Sequence, residues 1–116
     1  SNIYMKLLLL AILMSFQSSQ TTCDDFYKKE LDPLSVEGKV TKKEISDEFY
    51  IIYVVNKKEE TIRLRFFKNM SGFEIYNFIL TDSYISKRKG DRSVHILTEN
   101  KLDKSFKGRI FDKLCY

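Results

Sequence analysis

One histidine, two cysteines and one dense basic segment are the residues of this 116-residue chain best suited to chemistry. A general base needs a nucleophile within hydrogen-bond reach, and a metal ion needs three or four ligands. His95 stands between Val94 and Ile96 in a short apolar run, so strand alternation turns it to the opposite side, toward solvent. Two thiols and one imidazole with no close spacing make a poor metal site, and no metal or cofactor is expected. Asp24 and Asp25 resemble paired carboxylates, but neighbours on an extended segment point apart, and acids here suit the first turn of a helix. Asp82 and Ser83 fit turn chemistry, in which a short acceptor side chain bonds nearby backbone. No enzyme is expected from these residues.

The run Lys87-Arg88-Lys89-Gly90-Asp91-Arg92, with Tyr84 just before it, is the strongest candidate binding surface. Lys42-Lys43 and Lys57-Lys58 could extend it. Cations hold a phosphate backbone and aromatic rings stack on bases, so Lys87, Arg88, Lys89, Arg92 and Tyr84 could meet nucleic acid. Asp82 and Asp91 flank the run, and the whole chain has only 20 basic against 16 acidic side chains, which disfavours that partner. Seven tyrosines and nine phenylalanines exceed the needs of a small core and leave rings for contact with a protein, peptide or glycan.

The compartment is read from the chain's start. Met5-Lys6, the apolar run Leu7 to Met14 and the small polar stretch Ser15 to Ser19 have the three parts of a secretory signal peptide. An apolar helix of about ten residues is roughly 15 Å long, half of the ~30 Å hydrocarbon core it would have to cross. Residues 1–22 are therefore read as the leader, with cleavage near 19–22, and residues 23–116 as one small domain. The product is periplasmic, cell-surface or secreted. In an oxidising compartment Cys23 and Cys115 read as a staple across the domain. Free buried thiols and lipidation of Cys23 are the alternatives, the second being the one case in which a membrane partner is expected; Gln20 and Thr22 fit the lipidation signal poorly.

The elements that position these residues follow from periodicity. Leu34, Val36, Gly38 and Val40 alternate with polar residues as a half-buried strand does. Phe49 to Val55 is an unbroken β-forming run fit for a strand covered on both faces, and Thr61 to Phe66 alternates again after a turn at Asn56-Lys57-Lys58-Glu59. Ser71 and Glu74 stand at capping-box spacing before a helix over 72–80, with Phe73, Tyr76 and Leu80 on one face. Asp82 to Arg92 is a polar loop, and Val94 to Leu97 and Phe106 to Phe111 are the last strands. Gly108 signals a bulge or a close backbone approach in the last of these. Asp24 to Asp32 could be a short helix or an extended lead-in.

Three strands, one helix and two strands is the order of a small five-stranded OB-like barrel; a strongly curled antiparallel sheet on one helix also fits. The fold class is mainly β with one short helix. Gly38-Lys39-Val40, Asp82-Ser83 with Lys87 and Gly90, Val94 to Leu97, and the closing Cys115 resemble a group of small exported proteins of Bacteroidota. Thr81 departs from the glycine expected there. The resemblance implies a compartment and a fold, and no activity. An exported non-enzymatic binding or structural module is thus the expectation, with a nucleic-acid-binding barrel and a small inhibitor of a hydrolase or toxin as alternatives. Intact mass after expression in a secreting host checks the leader and the staple together. A product cut near residues 19–22 that gains two alkyl groups only after reduction is expected; an uncut product with free thiols would overturn both readings.

Overall fold

The computed structural model describes residues 22–116, so the leader read over residues 1–22 lies, Thr22 apart, outside the described residues. Helix α1 (residues 22–30) leads into a sheet formed by β1 (Val36–Ile45), β2 (Phe49–Asn56), β3 (Thr61–Phe67), β4 (Tyr84–Lys87), β5 (Val94–Glu99) and β6 (Phe106–Phe111). Helix α2 (Met70–Phe78) lies between β3 and β4 in the chain. All six strands join one antiparallel sheet in the order β3-β2-β1-β4-β5-β6. The sheet is not closed: β3 and β6 remain its two edges. The OB-like barrel is therefore set aside and the curled sheet retained, with six strands and two helices in place of five and one.

The curl follows from what the two edges touch. A flat sheet of six strands would hold its outer strands about 24 Å apart. Yet Asn69, two residues past β3, donates its side-chain amide to the Leu114 carbonyl, three residues past β6, at 2.8 Å. Ser71 bonds the same tail through its backbone N–H to Tyr116 and through its hydroxyl to Lys113. These bonds draw the ends of β3 and β6 toward each other, the arrangement of a sheet that bends rather than lies flat. The inner face carries Val36, Val40, Ile52, Val54, Leu64, Phe66, Ile85, Val94, Ile96 and Phe111, and the helices cover it with Tyr27, Leu31, Ile75 and Ile79.

Local chemistry explains where the elements depart from the periodicity. The fourth strand, β4, was expected as loop. Its Lys87 points inward, so the polar–apolar alternation that marks a strand is broken at its end. Helix α2 is capped by Asn69, whose side chain accepts from the Gly72 N–H at 2.8 Å, and not by Ser71. Its buried stripe is Gly72, Ile75 and Ile79, while Phe73 and Leu80 are exposed. Gly72 sets that rotation: a Cβ there would lie 1.8 Å from the Phe67 carbonyl oxygen. A bulge between Val40 and Lys42 carries β1 on to Ile45 and turns Lys43 over the Tyr76 ring. Gly108 makes no bulge; β6 pairs with β5 in unbroken register, and the nearest contact of an added Cβ is Leu97 at an ordinary 3.6 Å.

The pairing of the cysteines is formed. Cys23 in α1 is bonded to Cys115, with Cα atoms 5.9 Å apart and the two residues 92 positions apart in sequence. Closing such a loop removes unfolded-state entropy worth about 4–5 kcal/mol in the chain-entropy account. The same sulfur cannot carry a thioether-linked lipid, so the lipidated alternative does not apply to this oxidised form.

Tyr27 joins α1 to the sheet. Its ring is wholly buried against Phe66 and Phe67, and its hydroxyl oxygen accepts the Phe67 N–H at 3.0 Å. Burial pushes its pKa from 10.0 up to about 12. The unfolded tyrosine loses its proton first, so this stabilisation is whole below pH 10 and is lost as pH rises toward 12. Tyr27→Phe is expected to cost about 1–2 kcal/mol at pH 8, because the Phe67 N–H loses its acceptor. In urea unfolding from pH 9 to 12 the variant should lose stability less steeply than the parent. Equal slopes would mean that Tyr27 ionises as easily folded as unfolded.

Candidate functional site

The basic segment is divided by the fold between interior and surface. Lys87 is buried, and its ammonium donates to the carbonyls of Asp32, Leu34 and Arg88 at 3.1, 2.8 and 2.9 Å. An ammonium has three protons to give, and all three are engaged. Desolvation lowers its pKa, partly offset by the charges of Asp32 and Asp91. Arg92 grips Asp32 with two parallel bonds, Nε to Oδ1 at 3.0 Å and Nη2 to Oδ2 at 2.9 Å, and binds the Asp24 carboxylate through Nη1. These hydrogen bonds raise the Arg92 pKa and lower that of Asp24. Tyr84 donates its hydroxyl to Glu37 at 2.6 Å, which holds the phenol protonated. Only Arg88 and Lys89 of the five residues have side chains exposed to solvent. Lys87, Arg88, Lys89, Arg92 and Tyr84 thus do not make one cationic face.

The other expected positions are ordinary. His95 is exposed between buried Val94 and Ile96. Asp82 adopts φ 76°, and Ser83 accepts the Leu80 N–H and shares a hydrogen bond with Thr98 at 2.8 Å, which is the turn chemistry expected there. Asp24 lies within α1, bound to Arg92 and Lys28. No group of three His, Cys, Asp or Glu side chains among the described residues is placed to hold a metal ion. No helix among them is long and apolar enough to cross a membrane.

Two clefts remain. One, near the disulfide, is lined by Asp24, Arg92, Asp112, Lys113, Leu114, Cys115 and Tyr116, and its strongest charges already neutralise each other. The other is a shallow, mainly apolar groove of about 490 Å³ on the outer face of β4, β5 and β6. Strand register builds it: Tyr84 lies opposite Leu97, Leu97 opposite Gly108, and His95 opposite Ile110. Gly108 supplies no side chain, so a notch opens beside Leu97, with Phe106 and Ile110 on either side of it along β6. Leu97, Phe106 and Ile110 are 42%, 64% and 62% exposed, far more than a core residue allows.

Sequence reasoning did not single out this groove. Its signal was present in Phe106-Lys107-Gly108-Arg109-Ile110, where apolar residues and glycine alternate with cations. Alternation says which residues share a face, but not that the covering helices stand elsewhere. Comparison with protein-family models, with curated proteins and with solved structures finds no match.

The assignment of Lys87 to the interior can be checked by stability. Lys87→Met would strand three carbonyls in a buried place and is expected to cost about 2–4 kcal/mol in urea unfolding. Lys89→Met, on the surface, should stay within about 0.5 kcal/mol of the parent. Equal small effects would return Lys87 to the solvent-facing charges.

Proposed function

We propose that this protein is an exported, non-enzymatic binding module that takes a protein or peptide partner on the outer face of β4, β5 and β6. The observation that carries the reading is the groove around Gly108, where Leu97 and Ile110 stand exposed beside Tyr84 and His95, with exposed Phe106 next along the same face of β6. Exposed apolar side chains cost solvation free energy that a monomer in water does not recover, and a complementary surface removes that cost. Tyrosine and histidine at the groove offer polar contacts around the apolar centre, the arrangement common in recognition surfaces. The Cys23–Cys115 bond supports export, since such bonds persist in oxidising compartments.

A nucleic acid partner has less support. Two of the four cations that would have carried it, Lys87 and Arg92, are engaged within the domain. Site-specific photocrosslinking in the native host tests the choice of face. A crosslinker at position 97 or 110 should give discrete protein adducts, and one at Lys58, in the β2–β3 turn, should give none. Adducts spread equally over these positions, or absent from 97 and 110, would reject the groove.

A further inference from the structure

We propose that β6 receives an extended segment of a partner as a seventh strand, and that the segment alternates acidic with apolar residues. This rests on the groove reading above and specifies its ligand. β6 ends the strand order, and residues 106–110 are exposed without interruption. The opposite edge is partly guarded, because Tyr27 occupies the Phe67 N–H of β3. Among the described residues, only β5 bonds to the backbone of β6. A bare edge strand is a template for one more strand, which gains affinity from main-chain bonds and specificity from alternate side chains.

The side chains of β6 select the chemistry. On the groove side stand Phe106, Gly108 and Ile110; on the other side stand Lys107 and Arg109. Residues 104–113 hold four cations, Lys104, Lys107, Arg109 and Lys113, and a single acid, Asp112. Glu74 approaches Arg109 at 3.5 Å, whereas Lys107 has no ion pair among the described residues.

These charges argue against a second copy of the chain as the occupant. Antiparallel self-pairing that continues the sheet must keep like faces together, so residues of equal parity meet. Centred on Gly108, it sets Lys107 opposite Arg109; centred on Lys107 or Arg109, it sets that cation opposite its own copy. Like charges directly opposite one another destabilise a pair of strands. An incoming strand with an acid opposite Lys107 and a bulky apolar residue opposite Gly108 meets neither obstacle. Its apolar side chain would lean across the glycine toward Leu97 and fill the notch.

The test uses two capped heptapeptides, Glu-Val-Glu-Leu-Glu-Val-Glu and its counterpart with lysine for glutamate. Calorimetry gives the affinity and amide hydrogen exchange gives the location. The acidic peptide should bind at least about tenfold more tightly than the basic one and slow exchange within Phe106–Phe111. Lys107→Glu should reduce or reverse that preference, and Gly108→Val should weaken binding about tenfold by filling the notch. Equal binding of both peptides, or protection away from β6, would overturn the proposal. So would binding of phosphatidylglycerol vesicles that Lys107→Glu abolishes while the acidic peptide protects nothing, since the patch would then serve a lipid surface. Failure of the peptide with crosslinks at 97 and 110 intact removes strand addition alone; failure of both removes the groove reading as well.

Discussion

Arg92 holds a carboxylate near each end of α1, Asp24 in its first turn and Asp32 just beyond its last, and the curled sheet depends on where that helix is held. Asp32 is a junction in its own right. Its carboxylate takes two bonds from Arg92, and its carbonyl takes the Gly90 N–H and the Lys87 ammonium. Charge-assisted, bidentate bonds are the directional ones among polar contacts, so they fix the helix in orientation as well as in distance. With α1 fixed to the loop before β5, Tyr27 reaches the end of β3 and Cys23 reaches the tail after β6. One short helix therefore ties both margins of an open sheet, which is how a sheet without closure keeps its curl.

The same arrangement decides which surface is left bare. Phe26 stacks on Phe49 and meets Phe67 edge-on, with the Arg65 guanidinium over the Phe26 and Phe49 rings. Alternation places Phe49, Arg65 and Phe67 on the outer face, so α1 covers part of that face at β2 and β3 as well as lining the core. Nothing among the described residues does this at β5 and β6. Helix α2 packs inward through Ile75 and Ile79, and the tail after Phe111 turns to Ser71 and Asn69. The asymmetry of the outer face comes from α1, which reaches onto that face at β2 and β3 through Phe26.

Much of the frame was legible in the sequence because it obeyed one rule at a time. Phe49 to Val55 and Thr61 to Phe66 read as strands because hydrophobic burial alone shapes them, and Cys23 and Cys115 read as a pair because there were no other cysteines. What stayed hidden involved a polar group used against its usual habit. Lys87 points into the core because backbone carbonyls from two distant residues and its own neighbour replace water around it, and no local pattern announces that. Asn69, rather than Ser71, caps α2 because the C-terminal tail claims the Ser71 hydroxyl and N–H. The candidate groove was obscured for a related reason: Gly108 looked like a backbone device when its contribution is a missing side chain. Long-range contacts settled each case, and a single sequence does not display them.

The bridge between Cys23 and Cys115 also has a mechanical meaning. Tension applied between a point before the first cysteine and a point beyond the second would pass through the covalent bond rather than through the strands. The intervening sheet would bear none of that load, and its register would not be pulled apart. A domain built this way can sit in a chain or an assembly under strain and keep the outer face of β4, β5 and β6 undistorted, yielding only when the bond itself is chemically cut.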